Sequence, residues 1–184
     1  MRIVAGRWRG KALVAPPGLA TRPTSDRVRQ AVFDRLWHAP WAGRACVEGA
    51  VVLDAFAGTG AMGLEALSRG AARAAFIEHD RAALAALRAN VAACGAGTQT
   101  RVLSTDALRP PPGEPCDLVF LDPPYGLGLL APAIAALQAA GWIAPGALLL
   151  LEAGRGDEPP AVGEPLASFQ AGAAAVHAVR LGSA

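Results

Sequence analysis

The sequence contains only three cysteines among its 184 residues. Cys46, Cys94 and Cys116 form no CxxC pair, and no histidine stands at the spacing of a zinc ligand. An odd number of widely spaced cysteines argues against a disulfide scaffold, and the missing ligand spacing argues against a zinc site. We therefore expect a protein that uses neither disulfides nor a metal.

The sequence also lacks an apolar run of the roughly 18 residues that a membrane span needs. Asp122 and the prolines after it interrupt the most apolar stretch, and Pro145 divides the next one. The segment MRIVAGRWRGK at the amino terminus has no apolar core of a secretory signal. These absences predict a cytoplasmic protein with no membrane partner.

Charged residues are scarce, at 17%, whereas 53% of the residues are hydrophobic. This composition excludes a disordered chain, and the length is typical of one globular domain. Residues 1–35 hold eight Arg or Lys and two Asp, while the remainder holds nine basic and thirteen acidic residues. A basic segment on an otherwise acidic domain favours a phosphate-bearing partner, although a merely solvated arm has the same composition.

Residues 1–45 predict a short hairpin followed by an amphipathic helix. The hairpin strands are expected at residues 2–5 and 12–14, and the helix is expected to begin after Pro23, where Thr24 is a candidate cap. Apolar residues then recur at every fourth position, which predicts one buried face. We expect this basic hairpin and helix to form an extension of the main domain that faces the phosphate-bearing partner.

Residues 46–184 alternate between apolar strands and helices. Five segments predict strands: VVLDAF, AAFIE, RVLST, DLVFL and ALLLLE. Helical patterns between them end at Gly70 or span residues 80–94 and 129–141. Strands that are apolar throughout and alternate with helices predict a doubly wound α/β domain with a mostly parallel sheet. Residues 174–181 are expected to add an edge strand.

Four acidic residues stand at the ends of four consecutive predicted strands: Asp54, Glu78, Asp106 and Asp122. Singly, each is better explained as a helix cap or a turn residue. In a parallel sheet, however, the carboxyl ends of the strands lie on one edge, and ligands bind in the crevice there. Their joint recurrence therefore predicts one ligand site.

A G-x-G-x-x-G pattern at residues 58–63 lies between the first strand and a helix, with Glu78 twenty residues after its first glycine. This spacing is typical of an NAD site, in which the acidic residue binds a ribose. Here, however, residues 55–57 separate the strand from the glycines, and the Asp54 carboxylate repels phosphate but attracts an ammonium. The pattern therefore favours S-adenosylmethionine, which carries a ribose, an adenine and a charged amino acid end.

The segment Asp122-Pro123-Pro124-Tyr125 follows an apolar strand. Two prolines remove two N–H donors and leave the Pro123 carbonyl and the Asp122 carboxylate as acceptors. Such acceptors suit an aromatic amine, on whose ring Tyr125 can stack. A proline-rich turn is the alternative, but the strand before it and the glycine loop upstream favour a site.

These motifs together resemble a known family. The segments DAFAGTGAMGLEAL, IEHD, STDAL and DPPY resemble class I S-adenosylmethionine-dependent methyltransferases that act on exocyclic amines. The segments RIVAGRWRGKAL and RPTSDRVRQAVFDRL resemble the bacterial 16S rRNA (guanine-N2)-methyltransferases of the RsmD family. The resemblance implies a Rossmann-like fold of seven strands, the last antiparallel, and a monomer that methylates a guanine N2 in 16S rRNA of the small ribosomal subunit by direct transfer.

The resemblance also assigns roles to residues. It implies that Asp54, Gly58 and Gly60 hold the methionine part of the cofactor, Glu78 its ribose and Asp106 its adenine. The full set expected to bind the cofactor is Asp54, Phe56, Ala57, Gly58, Thr59, Gly60, Glu78, His79, Asp106 and Ala107. The catalytic set is Asp122, Pro123, Pro124 and Tyr125. The RNA-binding set is Arg7, Trp8, Arg9, Lys11, Arg22, Thr24, Arg27 and Arg29.

Three alternatives stay open at this point. An enzyme acting on adenine N6 or cytosine N4, in DNA or in another RNA, shares the DPPY motif, although residues 1–45 leave little room for an added recognition region. An NAD-dependent oxidoreductase shares the glycine pattern. A non-catalytic RNA-binding module would bind ribosomal RNA without methyl transfer.

Overall fold

A computed structural model describes residues 1–16, 26–154, 158–172 and 174–182. In these ranges, seven strands form one sheet in the order β3-β2-β1-β4-β5-β7-β6. The strands are β1 (Val51–Ala55), β2 (Arg73–Glu78), β3 (Thr100–Ser104), β4 (Cys116–Leu121), β5 (Ile143–Ala153), β6 (Glu164–Ala171) and β7 (Ala174–Arg180). Strands β1 to β5 are parallel, and β7 runs antiparallel to both β5 and β6. The predicted doubly wound, Rossmann-like α/β fold is confirmed.

Helices cover both faces of the sheet. They are α1 (Asp26–His38), α2 (Ala61–Ser68), α3 (Arg81–Ala93) and α4 (Leu130–Ala139). Alternate residues of β1 point to opposite faces, so that Val52 packs in the cluster that includes α1 to α3, and Leu53 in the cluster that includes α4. None of the helices in the described ranges is long and apolar enough to cross a membrane.

The amino-terminal hairpin belongs to the same core as the sheet. An isolated bridge pairs Arg2 with Ala12, and a 3₁₀ turn at Gly6–Trp8 lies between them. Ile3 and Leu13 are buried in the cluster on the α1 to α3 face. Backbone hydrogen bonds from Ile3 to Lys11, from Gly10 to Ile3 and from Leu13 to Met1 join the two arms, so the expected hairpin is present in a short form.

Glu65 of α2 joins the hairpin to helix α1. Its carboxylate accepts the backbone N–H groups of Val4 and Ala5 at 2.7 and 2.9 Å. It also accepts from the fully buried Arg29 guanidinium at 3.4 Å and from Arg69 at 2.8 Å. A buried charge without such partners destabilises a fold by several kcal/mol, so this carboxylate holds the three elements together.

The carboxyl-terminal part of the sheet differs from the sequence prediction. Residues 174–181 were expected at the sheet edge, yet β7 lies between β5 and β6. The edge is β6, which the sequence pattern did not indicate. Its segment EPLASFQA contains a proline and is only partly buried, so it lacks the apolar run of the other strands. The predicted cap Thr24 lies outside the described residues.

Candidate functional site

The four predicted carboxylates lie at one edge of the sheet. Asp54 is near the end of β1, Glu78 ends β2, Asp122 directly follows β4, and Asp106 follows β3 by two residues. Strands β2 and β4 pair with β1 on its two sides, and all four strands are parallel. Their carboxyl ends therefore meet at the same place, which we call the carboxyl edge.

The glycine loop connects β1 to α2 at this edge. Phe56 has φ of 67°, an unfavourable value for a bulky residue, and Gly58 has φ of 55°. Such conformations are commonly held at ligand sites because the surrounding contacts fix them. A Cβ atom on Gly63 would lie 2.4 Å from the Phe76 ring, so only glycine lets α2 pack this closely on β2.

Glu78 is buried and held by backbone donors. Its carboxylate accepts the N–H of Gly58 at 2.8 Å and the N–H groups of His79 and Asp80 at 2.7 Å each. A carboxylate has about four acceptor positions, so these three bonds orient it and leave capacity for a hydroxyl. The side chain of His79 is exposed, with its Nδ1 3.9 Å from Glu78. This arrangement fits a ribose at Glu78.

Asp54 lies deeper and is fully buried. It accepts the backbone N–H of Gly63 at 2.9 Å. The pKa of Asp54 is raised to about 8, mainly by burial and also by the nearby charges of Asp122 and Glu78, against the lowering effect of the Gly63 bond. An ammonium group beside this carboxyl would stabilise the ionised form, which fits the amino acid end of the expected cofactor.

The remaining residues expected at the cofactor surround these two carboxylates. Ala57 donates its N–H to Ile77 at 3.0 Å, which joins the glycine loop to β2. Asp106 accepts the N–H of Leu108 at 2.9 Å in the turn after β3, next to the buried Ala107.

Asn90 is a residue that the sequence analysis missed. It is buried on α3, where its side chain donates to the Thr59 carbonyl of the glycine loop at 3.0 Å. The same amide donates to the Val14 carbonyl at 3.0 Å and accepts the Val14 N–H at 2.8 Å. A polar residue on the apolar face of a predicted helix was the only available signal. Asn90 thus fixes the amino-terminal segment against the glycine loop.

The last three residues of the DPPY segment line a cleft beside the carboxyl edge, and Asp122 lies just before them. This β4–β5 cleft has a volume of about 490 Å³ and is lined by Pro123, Pro124 and Tyr125 after β4 and by Glu152 of β5. Its size is typical of small-ligand sites. The Tyr125 hydroxyl donates to Glu152 at 2.5 Å. Burial raises the pKa of Glu152, and the Tyr125 bond opposes that rise.

Glu152 was also missed by the sequence analysis. It stands near the end of β5, in the segment ALLLLE, so it had the same signal as the four predicted carboxylates. Its contact with Tyr125 joins residues 27 positions apart in the chain, and no spacing rule reveals such a contact.

The basic hairpin lies at the other end of α2. Trp8 donates its N–H to Ser68, the last residue of that helix, at 3.0 Å. The Arg7 guanidinium lies 4.1 Å from the centre of the Trp8 ring and donates to Gln99 at 2.5 Å. Arg9 is exposed, as are Lys11 and Arg27. An eight-residue helix is about 12 Å long, so the hairpin tip at Trp8 lies about 12 Å from the glycine loop, whereas Met1 at the base of the hairpin contacts Thr59 of that loop at 3.9 Å.

Two expectations for RNA contacts change. Arg29 was expected at a phosphate, but its side chain is fully buried and pairs with Asp26 at 2.9 Å and with Glu65 at 3.4 Å. It is therefore unavailable to RNA and holds the core instead. Arg22 and Thr24 lie outside the described residues. The described residues include no group of three or more potential metal ligands.

Known proteins resemble this chain over most of its length. The family described as "Conserved hypothetical protein 95" matches residues 1–179. Ribosomal RNA small subunit methyltransferase D of Escherichia coli K12 is 44% identical over 154 residues, covering 83% of this chain and 74% of that protein. The protein of the same name from Haemophilus influenzae is 37% identical over 157 residues, covering 83% and 78%.

Solved structures resemble the fold as well. The Escherichia coli protein yhhF is 39% identical, has a TM-score of 0.83, and is matched over 100% of this chain and 99% of that one. An RNA methyltransferase from Salinibacter ruber, solved with S-adenosyl-L-homocysteine, is 18% identical with a TM-score of 0.63. That match covers 84% of this chain and 93% of the other, and at this identity it shows the shared fold.

Proposed function

This chain belongs to the RsmD family of ribosomal RNA methyltransferases, and we propose that it transfers a methyl group from S-adenosylmethionine to the N2 amine of a guanine in 16S rRNA. The observation that carries the proposal is the position of Asp122-Pro123-Pro124-Tyr125. Asp122 lies at the carboxyl edge, near enough to Asp54 for its charge to act on that carboxyl, and the three residues after it line the β4–β5 cleft. Amine acceptors and a cofactor site thus adjoin one another.

The cofactor would be held by the residues of the glycine loop and the strand ends. In this proposal Glu78 would bind its ribose, Asp54 its ammonium and Asp106 its adenine, and the backbone bonds that hold these three carboxylates support the assignment. When bound, S-adenosylmethionine supplies an electrophilic methyl group on a positively charged sulfur. The backbone bonds to Glu78 and Asp54 restrict the movement of both carboxylates, which lowers the entropy lost on cofactor binding.

The target amine would be held by the Asp122 carboxylate and the Pro123 carbonyl. Both groups accept hydrogen bonds, and hydrogen bonds to the amine protons withdraw the nitrogen lone pair from conjugation with the ring. As positive charge develops on the nitrogen, the carboxylate stabilises it and accepts the proton that leaves. Positioning of this kind contributes up to about 7–11 kcal/mol to catalysis.

Tyr125 would provide the face on which the base stacks. Its ring is 40% exposed, and its hydroxyl is anchored on Glu152. Stacking on an aromatic side chain contributes about 1–3 kcal/mol per base. Because Glu152 fixes the phenol, it sets the plane in which the base is received.

The basic hairpin and helix of residues 1–45 would bind the parts of the RNA that lie outside the site. Arg9 and Lys11 are exposed, and phosphate contacts make binding salt-dependent. Replacing each with Ala should lower the slope of log affinity against log salt by about one unit. Arg73→Ala, at an exposed ion pair with Glu114, serves as the control and should leave the slope unchanged. If all variants had the same slope of log affinity against log salt, the hairpin would not contact RNA phosphates.

Asp122→Ala tests the proposed chemistry. We expect it to abolish transfer of labelled methyl to small ribosomal subunits from a strain that lacks this gene, while calorimetry still detects S-adenosylmethionine binding. Asp117→Ala is the matched control, because Asp117 lies at the opposite end of β4, where its carboxylate accepts the Val51 N–H at 2.9 Å. Activity retained by Asp122→Ala would contradict the assigned role.

Mass spectrometry of rRNA digests tests the product. Cells without the gene should lack one N2-methylguanosine, and the missing nucleoside identifies the target position. A missing N6-methyladenosine or N4-methylcytidine would instead indicate a different amine. Calorimetry with NAD beside S-adenosylmethionine tests the cofactor, and light scattering tests the expected monomer.

A further inference from the structure

The loop after the DPPY prolines exposes apolar surface at the mouth of the β4–β5 cleft. Leu127 is 64% exposed and Tyr125 is 40% exposed. Within the described residues, the one other large apolar side chain with comparable exposure is Val14, at 54%. Single exposed apolar residues are ordinary, but two in one loop beside a functional cleft point to an interaction.

The two glycines beside Leu127 shape this loop. Gly126 and Gly128 have φ of 75° and 62°, so the chain turns through the left-handed region on each side of Leu127. Both glycines line the β4–β5 cleft, yet a Cβ atom on either would meet no atom within 4 Å. The loop therefore presents Leu127 with open space around its backbone.

RNA chemistry gives this exposed leucine a use. A base that enters a pocket leaves its neighbours in the stack, at a cost of a few kcal/mol unless it is already unstacked. Proteins that unstack bases commonly insert an apolar side chain such as leucine into the gap. A protein partner is a poorer explanation, because a stable protein interface buries about 1,200–2,000 Å², far more than two side chains offer.

We propose that Leu127 is a wedge that fills the gap left in the RNA stack when the target guanine enters the β4–β5 cleft. This inference rests on the proposed function. Tyr125 and Leu127 then divide the work within one loop: the tyrosine ring receives the base in the cleft, and the leucine supports the stack that the base has left. Leu127 is a positioning residue, because it touches neither the amine nor the cofactor.

The wedge role depends on apolar volume, which substitutions can vary. Leu127→Ala should slow single-turnover methyl transfer to undermethylated small subunits by about 10-fold to 100-fold, the equivalent of one lost stacking contact. Leu127→Phe keeps an apolar wedge and should restore transfer to within about threefold of the original rate. Affinity for S-adenosylmethionine should stay unchanged in both variants, because Glu78 and Asp54 bind on the far side of β4.

Val14→Ala is the matched control, since it also trims an exposed aliphatic side chain. The hydrogen bonds between Val14 and Asn90 come from the Val14 backbone, so this variant keeps them, and we expect it to transfer methyl faster than Leu127→Ala. If Val14→Ala were as slow as Leu127→Ala, general loss of exposed apolar surface would explain the effect and the wedge would be refuted.

A fluorescent base observes the stack directly. Once the methylated guanine is located, 2-aminopurine placed next to it in an rRNA fragment should brighten when the protein unstacks the guanine. In the original protein and in Leu127→Phe, the 2-aminopurine should stay stacked on the wedge, so its fluorescence should rise only slightly. In Leu127→Ala the fluorescence should rise more. Equal fluorescence and equal transfer for Leu127→Ala and the original protein would overturn the wedge alone. Absence of transfer by the original protein would overturn the proposed function.

Discussion

Binding of S-adenosylmethionine should remove a proton from Asp54. In the free protein, burial raises the pKa of this carboxyl to about 8, so it is mostly protonated at pH 6 to 7. A bound ammonium favours the ionised carboxylate and lowers its pKa. The proton is therefore released on binding, and the observed affinity rises with pH up to the pKa of the free protein.

The size of the effect follows from that pKa. Below pH 8, each unit lowers the ionised fraction of Asp54 about tenfold, so the dissociation constant should improve about tenfold between pH 6 and pH 7. This change corresponds to about 1.4 kcal/mol per unit. Above about pH 8, an α-amino group loses its own charge, so the affinity should pass through a maximum near that pH.

Calorimetry in two buffers with different ionisation enthalpies measures both quantities at once. We expect about one proton released per cofactor bound at pH 6 to 7. S-adenosylhomocysteine has the same amino acid end without the sulfonium charge, and it should show the same slope. Asp54→Asn should bind more weakly with no slope. A dissociation constant independent of pH from 6 to 7, without proton release, would refute the reasoning.

Three further predictions concern packing and geometry. Gly63→Ala should lower the free energy of unfolding by about 1–3 kcal/mol in urea, because its methyl group would overlap the ring on β2; Gly97→Ala, with open space around it, should be close to neutral. Glu65→Ala should cost about 3–5 kcal/mol by leaving the buried guanidinium of α1 short of a partner, and a change below 1 kcal/mol would contradict the central role of this carboxylate. Glu152→Ala should slow methyl transfer in the original protein but cause no further loss in a Tyr125→Phe variant, because Glu152 acts through the Tyr125 hydroxyl. If the two losses add in this double-mutant cycle, Glu152 does not act through Tyr125.

The sheet was predictable wherever both faces of a strand are buried. The segments VVLDAF and DLVFL are apolar because helices cover both sides, and parallel order then places Asp54 and Asp122 at one edge. Strand β6 escaped prediction because an edge strand needs no such apolar run. The position of β7 between β5 and β6 depends on tertiary contacts, which the local sequence pattern does not show.

The site residues that could be predicted from the sequence are those in a motif that directly follows a strand. Glu152 and Asn90 escaped because their roles depend on contacts with Tyr125 and Thr59, which are distant in the chain. Arg29 was misassigned for a related reason: an arginine in a basic segment looks the same in sequence whether it faces solvent or pairs with the buried Glu65 and the half-buried Asp26. Charge alone does not reveal burial.

The amide of Asn90 connects the amino-terminal hairpin to the glycine loop. One side chain holds the backbone of both Val14 and Thr59, so a shift of either segment alters the bonds available to the other. If RNA binds the hairpin and the cofactor binds the loop, as proposed, Asn90 is a contact through which one ligand would affect the affinity for the other. Such coupling is reciprocal. If bound RNA changes the affinity for the cofactor by some factor, bound cofactor changes the affinity for RNA by the same factor.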